Sequence, residues 1–359
     1  MREGRNPGLD VIRIASMALV FAAHTSVFST NWGGFFGLRY TFGEVGLTSF
    51  LVLSGYLLGV SVFAKPDDFH VGKFYVNRLL RILPAYYVAL IFTAFLNHSR
   101  LPGICFALLQ NYNKEALSFM PPTWSLCIEE WTYVPLMLLF LLMLLFFRKK
   151  KGKAFLIAAT IILAAALILR AVQLIRNPGS GLDFKLRKRT QFRMDTFMFG
   201  TLAAALEYRK KALFERILKN PLVNLAALAG LICSMAMWYA LLAGSDNPVF
   251  KYLIFTILPV FTLFFVLRIK ELPLWKKPFF EKAKKPLALM SALTYPCYLV
   301  HFQFYILVSN YCNDHLVWNR VLPFLLTLLV IILWALIVHF VVEKPINRLR
   351  RWLVSKIHI

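Results

Sequence analysis

Residues 9–28, LDVIRIASMALVFAAHTSVF, form a mostly apolar stretch of about the length that a helix needs to cross a bilayer. The stretch contains Arg13 and His24, although ionisable side chains are costly in hydrocarbon. On a helix these two residues fall within about 20° of the same face and roughly 16 Å apart along the axis, so one groove can hold both. The competing interpretation is that Arg13 extends to the lipid headgroups and that His24 is a hydrogen-bonded interior histidine.

The composition of the whole chain places this stretch in a membrane protein. Of 359 residues, 59% are hydrophobic and 16% are charged. Long uninterrupted apolar segments are typical of a multi-span helical protein and unlike the alternating strands of a membrane barrel. The net charge of +24 comes from short basic runs between apolar segments, which indicates loops facing an anionic leaflet and no nucleic-acid partner. The five cysteines lack metal-ligand or disulfide spacing, so we expect packing roles and no metal site.

Ten apolar spans can be drawn along the chain. They cover residues 9–28, 44–63, 75–97, 126–147, 154–176, 191–208, 221–243, 250–268, 288–311 and 322–342. An even number of spans puts both termini on one side, and the loops on that side carry 28 Lys and Arg residues against 11 on the other. The positive-inside rule therefore predicts an all-α integral membrane protein with about ten transmembrane helices in one bundle and both termini in the cytoplasm. We expect the first span to be a retained helix, because it lacks a small-residue cleavage site.

Two connections on the outer side differ from simple loops. Residues 176–193 carry six of the 11 outer basic residues, which conflicts with the positive-inside rule unless this loop has a function. Residues 98–125 are interrupted by Pro102-Gly103 and Pro121-Pro122 and are predicted to be re-entrant or interfacial. Because no linker separates a second folded domain, we predict one membrane domain, 1–345, and a short basic cytoplasmic tail, 346–359.

This topology groups several polar residues near the outer face. The first span runs outward, which puts His24 in its outer third, and the fourth runs inward from Glu129 and Glu130, which puts both carboxylates near the outer face. A histidine and a carboxylate at one depth can act as a general base and its orienting partner. The alternative for the glutamates is helix capping, since acidic residues in a first turn offset the positive helix end.

Other ionisable residues lie at the ends or middle of later spans. Arg78 and Arg81 open the third span on one helix face at the cytoplasmic side, which suits either a phosphate or an anchor to anionic lipid. Arg193 and Asp195 begin the sixth span two residues apart, so they do not face each other and each needs its own partner. His301 lies near mid-membrane in a helix that a proline is expected to kink.

Seven motifs in order along these spans resemble the membrane acyltransferase type-3 family. They are Arg13 with His24; FLVLSGYL at 50–57; RLLR at 78–81; WSL at 124–126 followed by Glu129 and Tyr133; RMD at 193–195 with Gly200; YPCYLVH at 295–301; and VEKP at 342–345. The resemblance runs from residue 9 to 345 and departs from the family pattern at Thr48, where an acidic residue is common, and at Trp131-Thr132, where Gln-Phe is common.

The resemblance implies a ten-helix protein of the cytoplasmic (inner) membrane that moves an acyl group to a hydroxyl. The donor is usually acetyl-coenzyme A, the acceptor is a cell-surface polysaccharide, lipopolysaccharide or related lipid-linked glycan, and the Arg–His pair is essential. With the residue chemistry, this predicts that His24 is a general base or a transient acyl carrier, oriented by Glu129. Tyrosines such as Tyr133 and Tyr298 are predicted to polarise the thioester carbonyl.

The complete predicted site has three parts. The catalytic residues are His24, Arg13, Glu129 and Tyr133; the acyl-coenzyme A phosphates are held by Arg78, Arg81 and Arg13; and the acceptor is bound by Trp124, Ser125, Glu130, Arg193, Asp195, Tyr298 and His301. Two other classes of function compete with this hypothesis. A transporter or flippase of a lipid-linked or anionic substrate would share the spans and buried charges, although no inverted repeat is visible. A sensor or scaffold without catalysis is disfavoured by the intact Arg13 and His24 pair.

Overall fold

The computed structural model describes residues 6–25, 33–147, 150–315 and 321–356, and within these ranges every regular element is helical. The helices are α1 Pro7–His24, α2 Gly33–Phe63, α3 Val71–Leu96, α4 Gly103–Phe106, α5 Lys114–Phe119, α6 Trp124–Phe147, α7 Lys151–Arg176, α8 Met194–Arg209, α9 Lys211–Lys219, α10 Pro221–Leu242, α11 Pro248–Lys270, α12 Pro278–Asp314, α13 Val321–Val338 and α14 Lys344–Lys356. Short 3₁₀ and π turns join several of them. The predicted all-α class is confirmed.

Eight segments of the described residues are long and apolar enough to cross a membrane. They are Pro7–His24, Arg39–Phe63, Val71–Leu96, Pro121–Phe147, Lys151–Arg176, Pro221–Leu242, Pro248–Lys276 and Val321–Lys356. The two further predicted spans fall on α8, which has only 16 residues, and inside α12, which has 37 residues. α8 is too short to cross a membrane by itself, and polar side chains such as His301 and Gln303 lower the hydropathy of α12. The cytoplasmic orientation of the termini stays a prediction.

Glycines bring the helices around α2 into close contact. A Cβ added to Gly55 of α2 would lie 1.9 Å from the Phe197 carbonyl oxygen of α8, and one added to Gly200 of α8 would lie 2.0 Å from the Val52 carbonyl oxygen. On the other side of α2, a Cβ on Gly46 would lie 2.6 Å from the Ser16 carbonyl oxygen of α1. Small residues permit backbone contact of this kind between membrane helices. They hold α1 and α8 on opposite sides of α2.

The connection between α3 and α6 folds back into the protein. Cys105, Gln110, Asn111 and Met120 are fully buried within it. The Tyr86 hydroxyl of α3 donates to the Cys105 carbonyl at 2.8 Å, and irregular backbone at membrane depth needs such partners inside the protein. This burial fits the prediction of a re-entrant segment, and it means that α6 begins inside the bundle.

The residues predicted to form the basic tail are helical. α14 packs against α3, where the Arg350 guanidinium donates to the Asn77 carbonyl at 3.4 Å. The division into a membrane domain and a tail at residue 345 stays a prediction.

Candidate active site

A pair of histidines joins the first and the twelfth helix. His24 lies at the end of α1, and its Nδ1 atom is 2.9 Å from the Val20 carbonyl oxygen and 3.2 Å from Nε2 of His301. His301 is fully buried in α12, and its Nδ1 atom is 2.8 Å from the Tyr298 carbonyl oxygen. The prediction that His301 belongs to the same site as His24 is therefore supported by direct contact. We call these two residues the histidine pair.

The hydrogen bonds of the histidine pair determine where the protons lie. A carbonyl oxygen only accepts, so each ring in its neutral form carries its proton on Nδ1. The Nδ1 proton of His24 then has two acceptors, the Val20 carbonyl oxygen and Nε2 of His301. Nε2 of His24 keeps its lone pair, and neither hydrogen bond described for this ring uses it. The arrangement leaves one ring nitrogen with an unshared lone pair, as general-base or nucleophilic catalysis requires.

Aromatic rings enclose the histidine pair. The Phe302 ring lies 5.3 Å from the His24 ring, and the Phe21 ring lies 5.2 Å from the His301 ring. Among the described residues, no carboxylate is hydrogen-bonded to either imidazole. An apolar enclosure of this kind disfavours a charged imidazole, because an isolated ion is poorly solvated there.

A hydroxyl pair lies one turn from His301. The Tyr298 hydroxyl donates to the Pro122 carbonyl, and therefore accepts from the Ser125 hydroxyl at 2.6 Å. The Tyr298 proton is thus already engaged, so its predicted role in polarising the thioester carbonyl is not supported in this arrangement. Ser125 and Tyr298 do lie together beside the histidine pair, as a shared acceptor-binding region requires.

The predicted separation of Arg78 from the glutamates by depth is wrong. The Arg78 guanidinium lies 2.5 Å from a Glu129 carboxylate oxygen and 2.8 Å from a Glu130 carboxylate oxygen. The Tyr133 hydroxyl donates to Glu129 at 3.3 Å, and its ring lies 4.8 Å from the Arg78 guanidinium carbon. The physical reason is the folded-back connection, which starts α6 inside the bundle rather than at the outer face. We call Arg78, Glu129 and Glu130 the inner charge cluster.

This cluster changes two of the predicted roles. Glu129 binds Arg78 and Tyr133, whereas the partners of the His24 ring are Val20 and His301, so Glu129 does not orient the base. Arg78 faces two carboxylates and is not open to a phosphate in this structure. The Tyr133 hydroxyl likewise donates to Glu129, so its proton is already engaged in this arrangement.

The other two predicted phosphate ligands differ in their surroundings. Arg13 pairs with Asp10 of its own helix at 3.3 Å, and its side chain is 20% exposed. Arg81 is exposed on α3, and no ion pair within the described ranges involves it. Arg81 is therefore the predicted phosphate ligand that the geometry leaves most accessible.

Arg193 and Asp195 have separate partners, as their spacing predicts. Arg193 lies 3.0 Å from Glu44 of α2, and Asp195 lies 2.7 Å from Arg170 of α7. All four side chains are at most 1% exposed, so Arg193 and Asp195 are not open to an acceptor. Their predicted acceptor-binding role is thus replaced by a structural one, in which they join α2, α7 and α8.

Sequence reasoning missed Glu44, Arg170 and Arg187 in this region. Arg187 lies 2.8 Å from Glu44, and its guanidinium carbon lies 4.4 Å above the Trp124 ring, which leaves Trp124 covered. Glu44 precedes Thr48 by one helical turn and supplies a carboxylate to the same helix face. A lone arginine in the apolar α7 was the signal for Arg170, because an intramembrane charge needs a partner.

The loop between α7 and α8 also pairs charges at its surface. Burial raises the pKa of Asp183, but the Arg187 and Lys188 charges outweigh it and hold that pKa below its ordinary value. Burial lowers the pKa of Arg187, but Glu44 and Asp183 outweigh it and raise that pKa above its ordinary value. Both members of the pair are therefore charged near neutral pH.

These features define a multi-pass helical membrane protein with a pair of contacting histidines and paired internal charges. The family model described as an acyltransferase domain matches residues 6–341, and the chain belongs to the acyltransferase 3 family. No solved structure gave a significant match. Within the described residues, no group of three or more metal-ligating side chains comes together.

Relatives with a stated activity are distant. The O-acetyltransferases OatA of Staphylococcus aureus strains NCTC 8325 / PS 47, COL and MRSA252 are each 24% identical to this chain over 373 residues. The aligned region covers 95% of this chain and 57% of each relative. The chain thus spans little more than half the length of the proteins it matches.

Proposed function

We propose that the protein is a membrane-embedded O-acyltransferase. It moves an acyl group, acetyl in the simplest case, from acyl-coenzyme A to a hydroxyl of a cell-surface polysaccharide, lipopolysaccharide or lipid-linked glycan. Membership of the acyltransferase 3 family and the distant similarity to O-acetyltransferases support this proposal. The single observation that carries it is the histidine pair, because its hydrogen bonds leave the lone pair of His24 Nε2 unshared.

His24 is the general base in the direct route. Nε2 takes the proton of the acceptor hydroxyl while the hydroxyl oxygen attacks the thioester carbonyl. The new C–O bond forms, the C–S bond breaks, and the proton passes from His24 to the departing thiolate of coenzyme A. His301 accepts from Nδ1 of His24 throughout, which orients the ring and favours the correct tautomer.

His24 is the acyl carrier in the second route. Nε2 attacks the thioester carbonyl, the C–S bond breaks, and the thiolate of coenzyme A takes the Nδ1 proton of the ring and leaves as the thiol. The acyl-imidazole then passes its acyl group to the acceptor hydroxyl, whose proton returns to the ring. Both routes need the lone pair of Nε2. They differ in whether acyl-coenzyme A loses its acyl group before the acceptor binds.

The donor enters from the cytoplasmic side in this proposal. Arg81, with Arg13, binds the nucleotide phosphates, and the pantetheine arm extends toward His24. In this proposal the inner charge cluster lies on the cytoplasmic side of the histidine pair. The Tyr295 hydroxyl of α12 donates to the Ile82 carbonyl of α3, one helical turn after Arg78. His301 lies further along α12 than Tyr295, and therefore further from Arg78. The proposal also assigns the enzyme to the cytoplasmic membrane with both termini in the cytoplasm, as the distribution of Lys and Arg among the loops predicts.

The proposal is tested with the whole protein. Purified protein in lipid nanodiscs should release free coenzyme A from acetyl-coenzyme A, and labelled acetyl should appear as a base-labile ester on the acceptor glycan. Cells that carry the gene should contain O-acetyl groups on a surface glycan that gene-deleted cells lack. Absence of both acetyl-coenzyme A turnover and any gene-dependent ester would overturn the proposal, whereas ion or lipid movement without turnover would favour a transporter.

A further inference from the structure

The basic loop on the predicted outer side contains two kinds of cation. Arg187 and Lys188 pair with Glu44 and Asp183, so their charges are neutralised within the protein. Arg189 of the same loop forms no ion pair within 4 Å in the part of the chain that the structure describes. Self-pairing therefore accounts for only some of the positive charge that conflicts with the positive-inside rule.

The unpaired Arg189 meets a second unpaired cation on a shared aromatic ring. Its guanidinium carbon lies 4.6 Å from the Phe184 ring centre and 5.1 Å from the Tyr112 ring centre. Nζ of Lys114, from the first turn of α5, lies 5.3 Å from the same Phe184 ring. No ion pair within the described ranges involves Lys114. We call Tyr112, Lys114, Phe184 and Arg189 the outer binding surface.

Hydrogen bonds connect this surface to the wall of the candidate active site. The Tyr112 hydroxyl donates to the Gln191 side-chain oxygen at 3.0 Å, which links the two outer connections. The neighbouring Asn111 is fully buried and donates to the Trp124 carbonyl at 2.9 Å. Trp124 precedes Ser125, which bonds Tyr298 beside the histidine pair. The surface and the site are therefore two sides of one folded segment.

A cleft with both polar and apolar lining residues begins next to Lys114. It has a volume of about 450 Å³ and is lined in part by Asn113 and Glu115, on either side of Lys114 in the chain, and by Ser99 and Ser118. Amide, carboxylate and hydroxyl groups of this kind bond sugar hydroxyls. Tyr112 is 44% exposed and offers an aromatic face with a polar edge.

We infer that the outer binding surface docks an anionic saccharide, with Lys114 and Arg189 binding its carboxylate or phosphate groups. The inference rests on the proposed function, because it names the chemical class of the acceptor. Lys114 and Arg189 lie about the Phe184 ring and can bind the anionic group of a sugar while the ring contacts its apolar face. The basic residues of the loop also attract an anionic polysaccharide and raise its local concentration. An anionic lipid headgroup offers the same charge and is the competing source.

The experiment compares matched oligosaccharides that differ only in charge. Binding to the full-length protein in phosphatidylcholine nanodiscs is measured for tetragalacturonate against galactotetraose, and for phosphorylated against unphosphorylated mannotetraose. At least one anionic probe should bind tighter than its neutral partner, and the preference should decline with salt. Lys114→Gln and Arg189→Gln should each weaken that binding about tenfold, as expected for loss of a charge-assisted contact.

Control variants separate this surface from general charge. Arg176→Gln removes an exposed cation from the same predicted side, at the end of α7, and should leave binding of the anionic probe unchanged. Arg189→Lys should recover only part of the binding, because lysine keeps the charge but not the planar fork that stacks between Tyr112 and Phe184. Folding of each variant is checked by thermal unfolding.

Each outcome decides one point. Equal binding of charged and neutral probes, or equal losses for Arg176→Gln and Arg189→Gln, would overturn the inference. Loss of probe binding in phosphatidylglycerol nanodiscs would assign the cations to lipid headgroups and also overturn it. Acetyl-coenzyme A turnover is measured on the same samples, so that turnover without anion preference removes only this inference, and anion preference without turnover removes only the proposed function.

Discussion

The inner charge cluster holds one guanidinium against two carboxylates, whereas the histidine pair has no carboxylate partner among the described residues. Both lie in the same helical bundle and both contain ionisable groups. In the inner charge cluster, the Arg78 guanidinium contacts both carboxylates, so each member has an oppositely charged neighbour. In the histidine pair, backbone carbonyls take the Nδ1 protons and one nitrogen, Nε2 of His24, is left with its lone pair.

The difference indicates that the inner charge cluster stabilises the fold, whereas the histidine pair is available for chemistry. A buried charge is tolerated when it is paired, and removing one partner leaves the other uncompensated. A base must instead be free to take a proton, which a cation or a strong donor at Nε2 would prevent. We therefore expect substitutions in the inner charge cluster to act mainly on folding, and substitutions in the histidine pair to act mainly on acyl transfer.

The largest effect is expected at His24. His24→Ala should lower acyl transfer by about 10²–10⁴-fold, the usual contribution of a general acid–base group, and leave acyl-coenzyme A affinity and thermal unfolding near those of the wild type. Activity and donor affinity are measured side by side, with His315→Ala as an exposed control. Near-normal transfer by His24→Ala would return this residue to the role of a hydrogen-bonded interior histidine.

Arg78 should have the next largest effect, on stability. Arg78→Ala leaves Glu129 and Glu130 facing each other without a cation, which we expect to cost about 3–5 kcal/mol of the free energy of unfolding. Adding Glu129→Gln and Glu130→Gln to the same chain should recover most of the thermal stability. A stable Arg78→Ala protein that loses only acyl-coenzyme A binding would restore the phosphate-binding role predicted from the sequence.

Arg81 should have a smaller and more selective effect. Arg81→Ala should weaken binding of acetyl-coenzyme A about tenfold, and binding of S-acetylpantetheine little, because only the former carries the nucleotide phosphates. Both affinities are measured by calorimetry, and Arg216→Ala removes an exposed arginine of α9 as the matched control. Equal losses for the two donors would indicate that Arg81 contacts lipid or another part of the protein.

The smallest effect is expected at His301. His301→Leu removes the acceptor for Nδ1 of His24 and should lower the transfer rate by about threefold to tenfold, the value of one neutral hydrogen bond, with donor affinity unchanged. His301→Gln keeps a side-chain oxygen that can accept and should recover much of the rate. Equal rates for the two variants would mean that the contact between the rings does not orient His24.

The sequence predicted which residues lie in the candidate site better than it predicted which residues they bond. Ser125, Tyr298 and His301 were predicted to belong with His24, and the structure brings them beside it. The pairing of His24 with Glu129 was wrong, because the depth of Glu129 was taken from a fourth span that starts at the outer face. The folded-back connection lowers the start of α6, and no local pattern reveals by how much.

By itself the sequence determined the helical membrane class, the spans with strong hydropathy and the helix face shared by Arg13 and His24, since these depend on composition and on the 3.6-residue period. It also determined that Arg193 and Asp195 need separate partners, because two-residue spacing separates them on a helix. Only the tertiary structure decided that Glu44 and Arg170 are those partners, that Arg78 is paired with Glu129 and Glu130 and that His301 contacts His24. The physical reason is that pairing of buried polar groups depends on which helices are neighbours and at what depth each begins, and both are set by packing between segments far apart in the chain.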